Sequence, residues 1–318
     1  MGKYTNKFTP ETVEDFLDCY EDAQESIVKY LKEQLDSFDF EKIPDDDLEK
    51  YSNSILNFYQ ELPDAERIMV DSKCNGVVGE SREISFISFN YTDTFKKLLD
   101  RLSSDVLKKW RHGNTEYQCK FNTDIIYAHG TVSEFPIIGV NDESQIANKA
   151  LLNTAEFKNI MIKSNSVAAL GRLWHKKAEE QISQSRIVCV FGMSLGETDA
   201  KWWRKIALWL KADSNRHLII YWYVNNPPNG ISVRKQLQEK NKVITKLLSY
   251  SNFKPEEINS FRERIHTIIN TGSFLKLNSN IGIESSSDEN SIANIAKSAM
   301  EWGEFDELNE KLPQITVV

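Results

Sequence analysis

From residue 83 onward, short apolar runs alternate with stretches of helical periodicity, and this alternation limits the chain to few folds. The runs cover residues 84–89, 124–128, 135–140, 186–191, 217–224 and 265–269, and are rich in Ile, Val, Phe and Tyr with few charges. That is the pattern of strands buried on both faces. Between and after them, helical spacing predicts helices at 92–103, 146–164, 167–183, 197–211 and 233–249. Strands alternating with helices bury both faces of a sheet only when the sheet is mainly parallel and helices cover each side, so the expected class is α/β.

The first 82 residues read as a helical N-terminal layer. Thr9-Pro10-Glu11 has the form of a helix start, and Phe16, Tyr20, Ile27, Tyr30, Leu31 and Leu35 recur at helical spacing. Pro44-Asp45-Asp46-Asp47 reads as a second start, whose apolar face is Leu48, Tyr51, Ile55, Phe58, Tyr59 and Leu62. Cys74-Asn75-Gly76 and Gly79-Glu80 read as a loop. The expected division is residues 1–82, an α/β nucleotide-binding-like core at 83–279, and a linker with a C-terminal helix at 280–318. In that last part, residues 280–290 are rich in Ser, Asn and Asp, and a helix is expected at 291–312.

The chain's 318 residues carry 39 Lys+Arg against 47 Asp+Glu, a formal charge of −8. Such an acidic balance opposes general binding to a phosphate backbone. The longest apolar run, 218–224, is far too short to span a bilayer, and the residues after Met1 lack the apolar stretch of a signal peptide. Cys19, Cys74, Cys119 and Cys189 are scattered without a CxxC pair. They read as reduced thiols of a cytoplasmic protein, and no metal-ligand spacing is expected.

The functional information lies in the polar clusters at the ends of the apolar runs. One run ends in Asn90-Tyr91-Thr92-Asp93, another in His129-Gly130-Thr131, a third in Gly139-Val140-Asn141-Asp142, and a fourth in the stretch from Gly192 to Asp199. In an open parallel sheet these ends share one edge, where ligands bind. Asn90, His129, Gly139 and Ser194 are therefore expected to share a cleft. Each also has a simpler explanation. Thr92 and Asp93 cap helices well, and so do Ser194 and Asp199. His129 could be a satisfied structural histidine, although a following Gly lets backbone or ligand come close. His112, His175, His217 and His266 read as structural or surface residues, and Trp202, Trp203 and Trp209 as core.

Gly192-Met193-Ser194-Leu195-Gly196 also matches GxSxG, the nucleophile elbow of serine hydrolases. An acid and a His at later strand ends should then follow. Residues 218–224 lead instead to Asn225-Asn226-Pro227, while His217 and His266 stand at strand starts. Serine hydrolysis is an alternative without its partners.

The segments Ser88-Phe89-Asn90-Tyr91-Thr92-Asp93-Thr94, Ala128-His129-Gly130-Thr131, Ile137-Ile138-Gly139-Val140-Asn141-Asp142 and the stretch from Phe191 to Asp199 resemble the AbiH family of bacterial abortive-infection, or phage-defence, systems. The stretch Glu143 to Asn148 and Phe157-Lys158-Asn159 are similar to it as well, so the resemblance spans about residues 84–225. AbiH-like chains are in turn distantly similar to sirtuin-like NAD-binding domains. The resemblance implies a Rossmann-like or sirtuin-like sheet, a nucleotide as partner, NAD as cofactor or substrate, and NAD hydrolysis as the reaction. It implies Asn90 and His129 as catalytic residues, with Asn90 holding the ribose or a water and His129 acting as base toward a ribose hydroxyl. Thr92, Asp93, Gly130, Gly139, Gly192, Ser194 and Asp199 would contact the nucleotide. A non-catalytic sensor of a nucleotide or a phage-derived trigger is the alternative. Both families open on a strand and a Gly-rich loop, of the form GNGFD in AbiH. Here the residues from Lys3 to Phe8 match the segment after such a loop. The expectation is an N-terminally shortened member that binds NAD weakly or not at all and, because the first strand is central in such folds, has a neighbouring strand left without its partner.

Overall fold

A computed structural model describes residues 12–74, 82–102, 107–112, 115–225, 227, 232–277 and 315–317. Three helices come first: α1 (Val13–Asp36), α2 (Asp45–Leu56) and α3 (Asp64–Cys74). Then come β1 (Arg82–Ile84), β2 (Phe86–Ser88), α4 (Thr94–Leu102), the hairpin β3 (Leu107–His112) and β4 (Thr115–Phe121), and β5 (Ile126–Tyr127). Next are α5 (Ala155–Met161), α6 (Lys163–Ala169), α7 (Trp174–Gln184), β6 (Ile187–Phe191), α8 (Ala200–Ala212) and β7 (His217–Trp222). The last elements are α9 (Val233–Ser249), α10 (Pro255–Asn259), β8 (Ile265–Ile269) and β9 (Ile315–Val317).

The larger sheet has the order β5-β2-β9-β6-β7-β8, and a smaller one the order β1-β4-β3. In the larger sheet β2 pairs with β5, β6 with β7 and β7 with β8, all parallel. Only β9 runs the other way, antiparallel to both β2 and β6. The five remaining strands therefore all point in one direction, as the alternation of strands and helices predicts.

Period-2 alternation sorts this sheet's side chains between two cores. Phe86, Cys189, Phe191, Ile219 and Tyr221 pack with α2 and α4 through Leu48, Tyr51, Ile55, Phe95 and Leu99. Ile87, Val188, Val190, Leu218 and Ile220 pack with α7, α8 and α9 through Ala178, Ile182, Trp202, Trp203, Trp209 and Leu247. Both faces are thus covered, and the three tryptophans are core residues as expected. The N-terminal helical layer forms one of the two faces and shares its core with the strands.

The structure corrects several local expectations. Thr9 and Pro10 lie outside the described residues, and α1 starts at Val13, capped by Thr12. The Thr12 side chain accepts from the Asp15 amide while the Asp15 carboxylate accepts from the Thr12 amide. The apolar face that spacing extends through Leu62 breaks after Leu56; α3 then ends at Cys74, and the rest of the expected loop, residues 75–80, lies outside the described residues. The run 84–89 splits at Ser85 into β1 and β2, which join different sheets. The expected helix at 146–164 is a 3₁₀ helix at Lys149–Asn153 followed by α5 and the start of α6. Residues 135–140 form no strand: Pro136 lacks a ladder donor, and only Val140 makes a bridge, to Ile162. The hairpin β3–β4 and the strand β9 have no counterpart in the apolar pattern, and the expected helix at 291–312 lies outside the described residues. The expectation that a strand beside the missing central one lacks its partner is also not met, because β9 stands between β2 and β6 and pairs with both.

Candidate functional site

Because β5, β2, β6, β7 and β8 are parallel, their C-terminal ends share one edge of the sheet. Asn90 leaves β2 there, His129 leaves β5, and Gly192 leaves β6. Adjacent strands bring the first two together: the Ala128 amide donates to the Ser88 carbonyl at 2.9 Å. Asn90 is half-buried, and its backbone amide donates to Ser88 Oγ.

His129 is the centre of the cluster. It is 2% exposed, and its ring meets Phe89 edge-on. Its Nε2 lies 3.6 Å from Asp199 Oδ1 and makes no hydrogen bond. Burial holds its pKa well below the usual value, and the charges of Lys163 and Lys201 push it the same way. His129 is therefore a neutral imidazole with a buried ring nitrogen that lacks a hydrogen-bonding partner.

Asp199 is also buried, and the same Oδ1 accepts from Lys163 Nζ at 2.9 Å. Lys163 is 8% exposed and also donates to the Thr198 carbonyl at 3.3 Å. A lysine this buried persists where it is paired. It is positioned by the corner between α5 and α6, which is stitched to residues 139–140. There the Val140 amide donates to the Met161 carbonyl and the Lys163 amide donates to that of Val140.

A second pair adjoins the first. His175, on α7, stands with its ring centre 6.1 Å from that of His129. Its Nδ1 is 3.3 Å from Lys201 Nζ, which in turn pairs with Glu179 at 3.1 Å. Burial and then Lys201 lower the His175 pKa to about 4. Asn141 Oδ1 accepts from the Lys201 amide and so links the loop after Gly139 to the first turn of α8. Sequence reasoning misses Lys163, Lys201 and Glu179, and His175, expected as structural or surface, sits against the cluster. A buried lysine gives no local sequence signal; the Gly139-Val140-Asn141 motif beside it is the nearest pointer.

The other expected site residues have mixed placements. The Asp93 carbonyl accepts from the Lys97 amide at 3.0 Å, and its carboxylate lies 3.4 Å from the Lys97 ammonium, as in a residue leading into α4. The Thr92 hydroxyl accepts from that of Thr94 at 3.2 Å. Gly130 has φ +70°, and a Cβ there would lie 2.3 Å from the Phe135 carbonyl oxygen. At Gly139 a Cβ would lie 2.4 Å from the Met161 carbonyl oxygen. At both, the chain's own backbone fills the space the missing side chain leaves. Gly139 does not end a sheet strand, yet its close approach to Met161 seats Lys163. Gly192 turns the chain at φ +68° directly after β6. Ser194 is exposed between buried Met193 and Leu195, and the loop is held by the Tyr250 hydroxyl donating to the Leu195 carbonyl at 2.7 Å. The positive φ falls on Gly192 rather than on Ser194, and α8 starts only at Ala200. Ser194 is thus not at the sharp strand-to-helix turn of a nucleophile elbow.

His217 and His266 lie at the opposite edge, where β7 and β8 begin. Their rings stack, His217 Nδ1 is 3.0 Å from His266 Nε2, and His266 Nδ1 is 2.9 Å from Glu66. Glu66 also accepts from Lys240, so this chain of contacts ties α3 to α9 and is structural, as expected.

Fold and site together define an α/β protein with a buried His–Asp–Lys cluster at the C-terminal edge of its parallel strands. The model of the family "Bacteriophage abortive infection AbiH" matches residues 4–221, and the chain belongs to that family. The match contains every residue of the cluster. No curated protein and no solved structure matches the chain. Among the described residues no helix is long and apolar enough to cross a membrane, and no group of three or more His, Cys, Asp and Glu is arranged to hold a metal ion.

Proposed function

We propose that this AbiH family member acts in the cytoplasm in abortive infection, through a sirtuin-like, Rossmann-like nucleotide site at the strand ends, with NAD as the nucleotide. The observation that carries this reading is His129: a neutral, buried imidazole with an unpaired Nε2, 3.6 Å from a carboxylate. A group of that kind suits a ligand hydroxyl. Neutral His129 accepts the proton, and Asp199 stabilises the imidazolium that results. Asn90, on the neighbouring strand end, would hold the ribose or a water.

The residues fit the ribose half of such a ligand. They fit the pyrophosphate less well, since the space at Gly130 and Gly139 is filled by backbone carbonyls. Gly192 and Ser194 remain as the contacts for the rest of the nucleotide. The bound nucleotide would supply a glycosidic bond to nicotinamide. The protein's part is to hold the ribose and manage one proton.

Incubation with NAD and detection of free nicotinamide tests the reaction. His129→Ala and Asn90→Ala should each abolish release. Phage challenge of cells with and without the gene tests the defence role. A non-catalytic sensor of a nucleotide or phage-derived trigger is the second reading; His129 is 2% exposed, so in either reading a ligand reaches its ring only when the cluster opens. Calorimetric binding of NAD without nicotinamide release would establish that second reading.

A further inference from the structure

The strand β9 is distinctive in the larger sheet. It is three residues long, and it is the one member antiparallel to its neighbours. Its register sets Val317 opposite both Phe86 and Cys189, Thr316 opposite Ile87 and Val190, and Ile315 opposite Ser88 and Phe191. All six of those host residues are buried. Without β9, strands β2 and β5 have no ladder to β6, β7 and β8.

We propose that the slot between β2 and β6 is a strand-acceptor site, and that the C-terminal segment is its exchangeable occupant. The hosts determine which guests the slot takes. Both flanking strands are buried on both faces, so a charged residue in the guest would be left without solvent or partner. Both also present ladder groups toward the slot, which a guest must satisfy. Ile-Thr-Val is uncharged and β-branched throughout, which suits those requirements. A three-residue ladder is short, and its sequence neighbours in the sheet are remote: β8 ends at Ile269. Among the described residues its two ladders are what hold the segment, and an equivalent peptide can offer the same ladder groups.

The slot also matters to the candidate site. Asn90 and His129 follow strands on one side of β9, and Asp199 follows β6 on the other. A guest strand sets the spacing across which His129 and Asp199 face each other.

The test uses the full chain and the native Cys189, which is 1% exposed. Residues directly opposite in an antiparallel ladder have Cα atoms about 4.5–5.5 Å apart, within disulfide range. Val317→Cys should therefore form a disulfide with Cys189 under mild oxidation, mapped by non-reducing digestion and mass spectrometry. In the second arm, a peptide of residues 311–318 carrying the same Val317→Cys change, activated as its thionitrobenzoate disulfide, is added to the unaltered chain. The Cys189 thiol attacks the peptide's sulfur, and thionitrobenzoate leaves. Labelling should occur at Cys189 and fall at least about tenfold when the peptide also carries Thr316→Pro, because proline removes a ladder donor in mid-strand. In the Val317→Cys chain, linkage of the introduced thiol to Cys189 of a second copy would equally support the acceptor site. No linkage to Cys189 in the full-chain variant would overturn the placement. Failure of the peptide to label Cys189, or labelling indifferent to Thr316→Pro, would overturn the exchange. Neither arm depends on nucleotide binding.

Discussion

Replacing Lys163 by Met is the sharpest perturbation of the cluster. The change keeps most of the side-chain volume and removes the ammonium that lies 2.9 Å from Asp199. Asp199 is then a buried carboxylate whose ring neighbour, His129 at 3.6 Å, is a neutral imidazole and carries no compensating charge. Breaking one half of a buried pair costs about 3–5 kcal/mol, because the remaining charge keeps its desolvation penalty without compensation. Urea unfolding at pH 7.5 should show that loss with little change in the slope against denaturant. Replacing Asp199 by Leu in the Lys163→Met background should recover much of it, since no unpaired charge remains. The coupling energy should be at least about 2 kcal/mol. The same substitution has a proton signature. Burial and then the Lys163 charge hold the His129 pKa down, so it should rise in Lys163→Met, read from histidine NMR signals against pH. A single-variant loss under about 1 kcal/mol, or a double variant whose loss is the sum of the singles, would refute the account of a dry, paired Lys163–Asp199 contact.

Acid should destabilise the fold before its carboxylates titrate. The pKa values of His175 and His217 fall to about 4 and that of His129 is also depressed, in each case by burial first. The unfolded chain then binds more protons below the ordinary histidine pKa of about 6.5. Stability is full above that pH and is lost as pH falls from about 6.5 toward 4, with His175 alone contributing about 3 kcal/mol; a flat unfolding free energy across that window would contradict its burial. Gly139→Ala should cost about 1–3 kcal/mol by thermal unfolding, because the new Cβ meets the rigid Met161 carbonyl rather than a movable side chain. If that corner seats Lys163, the variant should also raise the His129 pKa by NMR. Trp203→Ala, at a fully buried position, should cost about 3–5 kcal/mol by urea unfolding, against less than about 1 kcal/mol for Tyr223→Ala on the surface.

Local pattern determined much of this protein. The strand β8 and the helix α9 lie where local pattern alone places them, since β8 is a short apolar run buried on both faces and α9 buries Val243, Ile244, Leu247 and Leu248 at helical spacing. The polar clusters after the runs ending near Ser88, Tyr127 and Phe191 are also legible, because burial on both faces forces a strand to be apolar until it leaves the sheet. Tertiary structure decided the rest. The apolar run 84–89 is divided between two sheets by neighbours that are remote in sequence. The run 135–140 looks like a strand but pairs with none, because the Ile137 and Val140 amides are taken up by the His129 and Met161 carbonyls rather than by a ladder. Lys163 has no distinguishing local context. It matters because Asp199, 36 positions away, is brought within 2.9 Å of it in a buried place. The residues Ile-Thr-Val near the end of the chain are ordinary β-formers in isolation. Only the slot between two buried parallel strands makes them the centre of a sheet, since a buried ladder must be satisfied by some segment and sequence pattern does not say which.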